Sequence, residues 1–166
     1  MSHNYHSAHN RILSILDESG CLYDRFEHIP VVTSEEAAQV RPNEYSIEDS
    51  AKSLIVKARN NDKRTTFFVQ LVIPGDDRFK EKRVAKLLGA TEVTLASLEE
   101  LDKLTDGLEP GSIPPFGTLF NIPVYIDTIT ANRPRIVFNC ADRRVSVAVD
   151  TSDYLKIVRP NICIIV

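Results

Sequence analysis

The stretch DSAKSLIVKA (49–58) sets a lysine at the mouth of an apolar strand. Strand side chains alternate between two faces, so Lys52 shares one with Leu54 and Val56, while Ser53, Ile55 and Lys57 take the other. Both faces carry large apolar residues, the pattern of a strand covered on both sides. An ammonium group there can lay its stem on apolar surface and keep its head in water. Alternatively it projects into a cleft, where a fixed cation holds a phosphate, a carboxylate or a polarised carbonyl. The second chemical feature is GLEPGSIPPFG (107–117). Its prolines fix φ and remove donors, and its glycines permit unusual φ. Such a loop is either a stiff connector or a wall whose backbone N–H groups can face an oxyanion. It is not a phosphate loop, because neither GxxxxGK[ST] nor GxGxxG occurs.

Other polar residues carry weaker signals. Asn139 ends an apolar run and Ser146 follows a turn, where both residue types also serve ordinary turn chemistry. His28 lies in the extended segment FEHIP and reads as a core-edge histidine bonded to backbone. His3, His6 and His9 are regularly spaced but fall at a terminus expected to fray, residues 1–8 being read as a flexible tail. There is no HExxH, no acidic cluster at metal spacing and no GxSxG elbow, so neither a metal nor a Ser-His-Asp triad is expected.

The elements that must position these groups follow from pattern. Ser7 can cap a helix to about Glu18, and Thr33 with Glu36 forms a capping box for a helix that Pro42 stops. The strand 53–58 and the run RTTFFVQLVI (64–73) flank the turn NND and read as a hairpin. FKEKRVAKLLG (79–89) is an amphipathic helix, and Ser97 with Glu100 caps another. Short apolar runs at 124–127, 135–139 and 145–150 precede a helix from Asp153 to Val158 and a terminal strand, ICIIV. Helices and strands do not alternate strictly, so the expected class is α+β: one compact domain over 1–166 with a curved mixed, largely antiparallel sheet surrounded by helices.

The chain's 166 residues suffice for one domain with a real core. A net charge of −3 argues against non-specific coating of nucleic acid, which needs a broad basic surface. A local basic rim remains open, with Arg59, Lys63, Arg64, Lys80, Lys82, Arg83 and Arg135 as candidates. Cys21, Cys140 and Cys163 are odd in number and form no CxxC pair, which fits a reducing compartment. No apolar run nears the ~20 residues that span a bilayer, and no signal peptide is legible. A cytoplasmic protein is expected.

Taken in order, EHIP…TSEEAA, AKSLIVK, VIPGDDRF…KRVAKLLGA, LASLEELDKLT, GSIPPFG, PVYID, VFN and TSDYLKI resemble the YbaK/prolyl-tRNA-synthetase-associated domain family, from about His9 to Ile162. AKSLIVK, IPPF and FN are similar to the YeaK-like free-standing members. The resemblance implies an editing domain that hydrolyses the ester of a mischarged tRNA at its acceptor end. It sets the family's functional lysine on Lys52 and its GxxxP loop on residues 111–115. Lys52, Gly111 and Ser112 are then the expected catalytic residues. Phe26, His28, Ile113, Pro114, Pro115, Phe116, Asn139 and Ser146 would bind substrate, with no metal and no cofactor. The implied partners are mischarged tRNA and, beyond it, an aminoacyl-tRNA synthetase, with no membrane and no DNA. Cys140-Ala141 stands where many members have a small pair with glycine, Ser146 where some carry aspartate, and Phe26 where some carry tyrosine. The alternatives are a non-catalytic tRNA- or synthetase-binding module with the same fold, and a hydrolase of another small ester.

Overall fold

A computed structural model describes residues 4–166. In chain order its elements are α1 (Ser7–Glu18), β1 (Tyr23–Glu27), α2 (Ser34–Val40), β2 (Ala51–Arg59), β3 (Thr66–Pro74), α3 (Glu81–Leu88), β4 (Glu92–Leu95), α4 (Leu98–Thr105), β5 (Val124–Asp127), α5 (Thr128–Ala131), β6 (Arg135–Asn139), β7 (Val145–Asp150), α6 (Thr151–Val158) and β8 (Asn161–Cys163). The class is α+β, as expected. The mixed, largely antiparallel sheet comes as two sheets rather than one, with strand orders β1-β7-β6 and β4-β2-β3-β5-β8. A single parallel bridge between Ser50 and Val137 joins them. The smaller sheet is antiparallel throughout, while the larger adds β5 and β8 in parallel to an antiparallel β4-β2-β3 group.

Local chemistry accounts for several ends. Both capping boxes form: Thr33 and Glu36 start α2, and Ser97 and Glu100 start α4. The cap of α1 is His6 rather than Ser7. Its Nδ1 accepts from the Ala8 N–H, and its Nε2 lies 2.8 Å from the Asp106 carbonyl. Since a carbonyl only accepts, Nε2 carries the ring proton. His9 is 1% exposed, with Nδ1 2.8 Å from the Cys140 carbonyl. His3 lies outside the described residues.

The larger sheet is buried on both faces. One face of β2 and β3 packs Val56, Ala58, Val69, Leu71 and Ile73 with Val84 of α3. On its other side lies the main core, where Ile12 and Leu16 of α1 meet Ile136 and Phe138 of β6, Val147 and Val149 of β7, and Tyr154 of α6. Each such side chain is worth about 1.5–3 kcal/mol in transfer from water. In the smaller sheet the register pairs Asn139 with Ser146 and Val137 with Ala148, and sets Phe26 opposite Ser146. Directly paired residues share a face. So Asn139, Ser146 and Phe26 lie on the face opposite the one that Phe138 and Val147 turn to the core. The seam beside that face, next to the Ser50–Val137 bridge, is where the cavity opens.

Candidate active site

A cavity of about 280 Å³ is lined by Val32–Glu35, Ala37 and Arg41, by Ser50–Leu54, by Gly111 and Ile113, and by Val137–Asn139. Four segments far apart in sequence meet here: the entry to α2, the start of β2, the Pro/Gly loop and the end of β6.

Lys52 sits on the rim. It is half-buried, and its Nζ donates to the Asp77 carbonyl at 2.6 Å. Its ladder partner is Ile73, and Leu54 and Val56 continue its face into the core, as the alternation implied. Desolvation holds its pKa below the ordinary lysine value, and Arg78 adds to that, whereas Glu35, Asp76 and Asp77 oppose it. Glu35 is exposed at the mouth. On the opposite face of the strand Lys57 pairs with Glu100 instead.

The Pro/Gly loop is clamped from behind. Gln70, wholly buried on β3, donates from Nε2 to the Pro114 carbonyl (2.9 Å), while its Oε1 accepts from the Gly117 N–H (2.7 Å). Tyr154 donates to the Pro115 carbonyl at 2.6 Å. Gly111 has φ +85°, and a Cβ there would meet the Val32 carbonyl oxygen at 2.5 Å, so only glycine fits this wall. The Ser112 N–H bonds to the Glu109 carbonyl and the prolines have none, so Gly111 and Ile113 are the cavity-lining loop residues with an N–H left to offer.

The residues expected from sequence divide accordingly. Lys52, Gly111, Ile113 and Asn139 line the cavity. Ser112, Pro114, Pro115, Phe116, Phe26, His28 and Ser146 do not. Ser112 donates its hydroxyl to the Glu109 carbonyl and faces a separate depression beside Asp142 and Arg143. The expectation that Phe116 binds substrate meets a ring 1% exposed, held against Phe138 and Tyr154 at centroid distances of 5.6 Å, because the loop turns that side chain into the core. Pro114 and Pro115 present carbonyls to the clamp. Phe26 packs on Tyr45 with ring centroids 5.5 Å apart.

His28 and Ser146 act one layer behind the cavity wall. Ser146 is fully buried, with Oγ 2.8 Å from His28 Nε2 and 3.1 Å from Asn139 Oδ1. The His28 Nδ1 lies 2.8 Å from the Ile29 carbonyl and must donate to it, so in the neutral ring Nε2 accepts the Ser146 proton. Asn139 bridges sheet and loop: its Nδ2 donates to the Gly111 carbonyl at 2.7 Å.

The residue that sequence reading missed is Arg41. Pro42 drives it out of the helical region, to φ −81° and ψ 158°, and its side chain runs under the cavity. It is 6% exposed. Nε donates to Ser146 Oγ (2.9 Å), Nη1 to Ser50 Oγ (2.8 Å) and Nη2 to Asn139 Oδ1 (3.1 Å). All three acceptors are neutral. Burial pushes its pKa down to about 10, still far above neutral pH, so the guanidinium stays charged. A basic residue at a helix C-terminus ordinarily reads as a dipole partner, and nothing local marks this C-cap as buried.

The turn between β6 and β7 holds Ala141 at φ +58°, a left-handed position that costs a non-glycine residue roughly 1–2 kcal/mol. The contact from His9 to the Cys140 carbonyl braces it. Among the described residues no group of three or more His, Cys, Asp and Glu side chains is arranged to hold a metal ion, and no helix is long and apolar enough to cross a membrane.

Comparison with known proteins places the chain in a family. The family model for the aminoacyl-tRNA editing domain matches residues 28–157. The chain is 28% identical over 156 residues to the multifunctional Ser/Thr-tRNA deacylase ProXp-y of Escherichia coli (strain K12), covering 93% of this chain and 90% of that protein. It is 37% identical over 76 residues to a proline–tRNA ligase of Sulfurihydrogenibium sp. (strain YO3AOP1), covering 46% of this chain and 12% of the ligase. Among solved structures, it superposes with a TM-score of 0.77 on a candidate trans-editing enzyme for prolyl tRNA synthetase, at 19% identity and 98% coverage of both chains. The hypothetical protein APE2540 gives 0.78 at 22% identity, covering 93% of this chain and 98% of that one. The matched segment takes in α2, the start of β2, the Pro/Gly loop and the end of β6, which line the cavity, and the chain belongs to the aminoacyl-tRNA editing domain family.

Proposed function

We propose that this protein is a trans-editing deacylase that hydrolyses the ester of a mischarged tRNA carrying a small amino acid, with alanine, serine and threonine favoured. The observation that carries this reading is the meeting of Lys52 with Gly111 and Ile113 at one cavity. Its volume lies just below the ~300–1,000 Å³ usual for ligand sites. The wall at Gly111 abuts the Val32 backbone and has no room to retreat. A pocket so bounded excludes bulky side chains sterically. The activity named for the Escherichia coli relative supports the same substrate class.

An aminoacyl ester is already activated, so water can attack it without a covalent enzyme intermediate. Lys52, half-buried on the rim, would hold the terminal nucleotide of the acceptor end. Exposed Arg78, Lys80 and Lys82 lie in the adjoining segment and can continue that path. Gly111 and Ile113 would offer backbone N–H groups to the acyl end, fixing it for attack. The whole chain acts as one domain in this reading. It works in the cytoplasm, where tRNA is charged, with an aminoacyl-tRNA synthetase as a second partner.

The test is a deacylation assay over a panel of seryl-, threonyl-, alanyl-, leucyl- and phenylalanyl-tRNA. Turnover of one or more of the first three, with the last two spared, is the expected outcome. Efficient hydrolysis of leucyl or phenylalanyl esters would sink the size argument. Tight tRNA binding without turnover of any ester would favour a binding module.

A further inference from the structure

We propose that Arg41 is the electrophilic residue of the deacylation, the group that meets the oxyanion when water adds to the ester carbonyl. The inference rests on the deacylase reading above and adds to it a residue and a step. Three of the five guanidinium N–H groups are held by Ser146, Ser50 and Asn139, which leaves one on each Nη. Ser50 and Asn139, the partners of those two nitrogens, line the cavity alongside Arg41. The fork is therefore locked by neutral oxygens, and both nitrogens that keep a spare N–H are bonded to residues of the cavity wall.

Its charge has no counterpart. Among the described residues no carboxylate pairs with Arg41, while other arginines of this chain find one: Arg25, Arg59, Arg133, Arg135, Arg143 and Arg144 all form ion pairs. A buried cation without an anion is costly, and this one lies in the wall of a cavity that an incoming negative charge can reach. The nucleotide phosphates are poor candidates. They lie along the tRNA backbone outside the cavity, and Lys52 on the rim is the cation placed for them, whereas Arg41 is 6% exposed beneath.

The ester itself brings no anion. Its carbonyl is neutral and its α-amino group is neutral or positive. Negative charge appears only when a water oxygen bonds to the carbonyl carbon and the π pair moves to the carbonyl oxygen. In the tetrahedral species that oxygen is negative, and Arg41 neutralises it. The pair then returns, the bond to the ribose oxygen breaks, and the proton lost by the water passes to that oxygen. The products are a free amino acid and a tRNA with its terminal hydroxyl restored. Arg41 thus gains its partner in the transition state and not in the ground state, the condition for raising kcat rather than merely lowering KM.

The experiment compares wild type, Arg41→Met and Arg41→Lys, using deacylation kinetics on the best ester of the panel and two non-hydrolysable aminoacyl-adenosine analogues. One analogue carries a 3′-amide, which mimics the neutral ester. The other carries a tetrahedral phosphonate anion. For Arg41→Met, kcat should fall roughly 10²–10³-fold, the usual cost of losing one oxyanion donor, with KM within about threefold. Phosphonate affinity should fall by a similar factor while amide affinity holds. Arg41→Lys, which keeps a cation in the cavity, should fall between the two and decides the matter if Arg41→Met does not fold. Equal loss of both analogues, or a kcat within about fivefold of wild type, overturns the role of Arg41 and leaves the deacylase reading standing. A wild type inactive on every ester overturns both.

Discussion

The cavity carries two cations, and they are built in opposite ways. Arg41 lies beneath it, almost wholly buried, its fork held by three neutral oxygens and, among the described residues, balanced by no carboxylate. Lys52 stands on the rim, half-buried, tied to one backbone carbonyl and surrounded by Glu35, Asp76, Asp77 and Arg78. One is a fixed charge in a dry place and the other an adjustable charge in a wet one. The first suits a single developing negative charge at one point in space. The second suits a flexible polyanion that arrives with its own counterions. Burial accounts for the difference: Arg41 sits where Pro42 breaks α2 under the β6–β7 pair, and Lys52 sits where β2 emerges from the sheet.

A large effect is expected at the rim as well as beneath it. Lys52→Ala should lower kcat/KM by 10²-fold or more, on the order of one lost charge-assisted anchor. It should shift unfolding stability by no more than about 1 kcal/mol, since the side chain packs little. Near-normal turnover on seryl-, threonyl- and alanyl-tRNA would remove Lys52 from the site.

A charge-preserving exchange sharpens the contrast. Lys52→Arg should retain activity within about fivefold, because a half-exposed rim tolerates a new shape. Arg41→Lys should lose roughly 10–100-fold, because a point charge cannot hold three acceptors that a planar fork holds, and each bond to a charged group is worth about 1.5–3 kcal/mol. Similar losses for the two exchanges would show that both cations are held with the same rigidity.

Asn139 tests what surrounds the fixed charge. Both ends of its amide are engaged, Oδ1 by Arg41 and Nδ2 by the Gly111 carbonyl. Swapping the amide would set N–H groups against Arg41, so the orientation follows from the donors around it. Asn139→Ala should therefore cost about 1–3 kcal/mol of stability by stranding buried partners. It should lower turnover of seryl and alanyl esters to the same extent. A selective loss on seryl ester would mean that Asn139 reads the substrate hydroxyl.

The smallest effect concerns pH. Desolvation lowers the Lys52 pKa, so its ammonium is lost at a lower pH than an ordinary lysine's, about 10.4. Corrected for spontaneous ester hydrolysis, activity should decline on the alkaline limb below that value, and Lys52→Arg should move the limb upward. The folded chain also holds this proton less tightly than the unfolded one. The resulting stability penalty is present at neutral pH and relieved as pH rises through the lowered pKa. A limb unmoved by Lys52→Arg would assign it to another group.

Much of the scaffold is legible along the chain. The Thr33–Glu36 and Ser97–Glu100 boxes, the β2–β3 hairpin and the Pro/Gly loop all rest on near-neighbour chemistry. The elements that escaped are those whose local pattern is weak. β1 is YDRFE, mostly charged, and becomes a strand because β7 offers it a ladder. β4 is a four-residue edge strand with one buried side chain. The terminal strand stops at Cys163 because Asp127 Oδ2 takes the N–H groups of Ile165 and Val166, an interaction across 38 residues or more.

The site divides along the same line. Lys52 is legible because strand alternation is a property of the backbone, and Gly111 because its loop's stiffness is a property of proline and glycine. Arg41, Gln70 and the turning of Phe116 into the core are decided only when β3, β6 and β7 have assembled around them. Burial is not a property of a residue and its near neighbours. It depends on what the rest of the chain brings alongside, and it converts an ordinary arginine at the end of a helix into a charge without a partner.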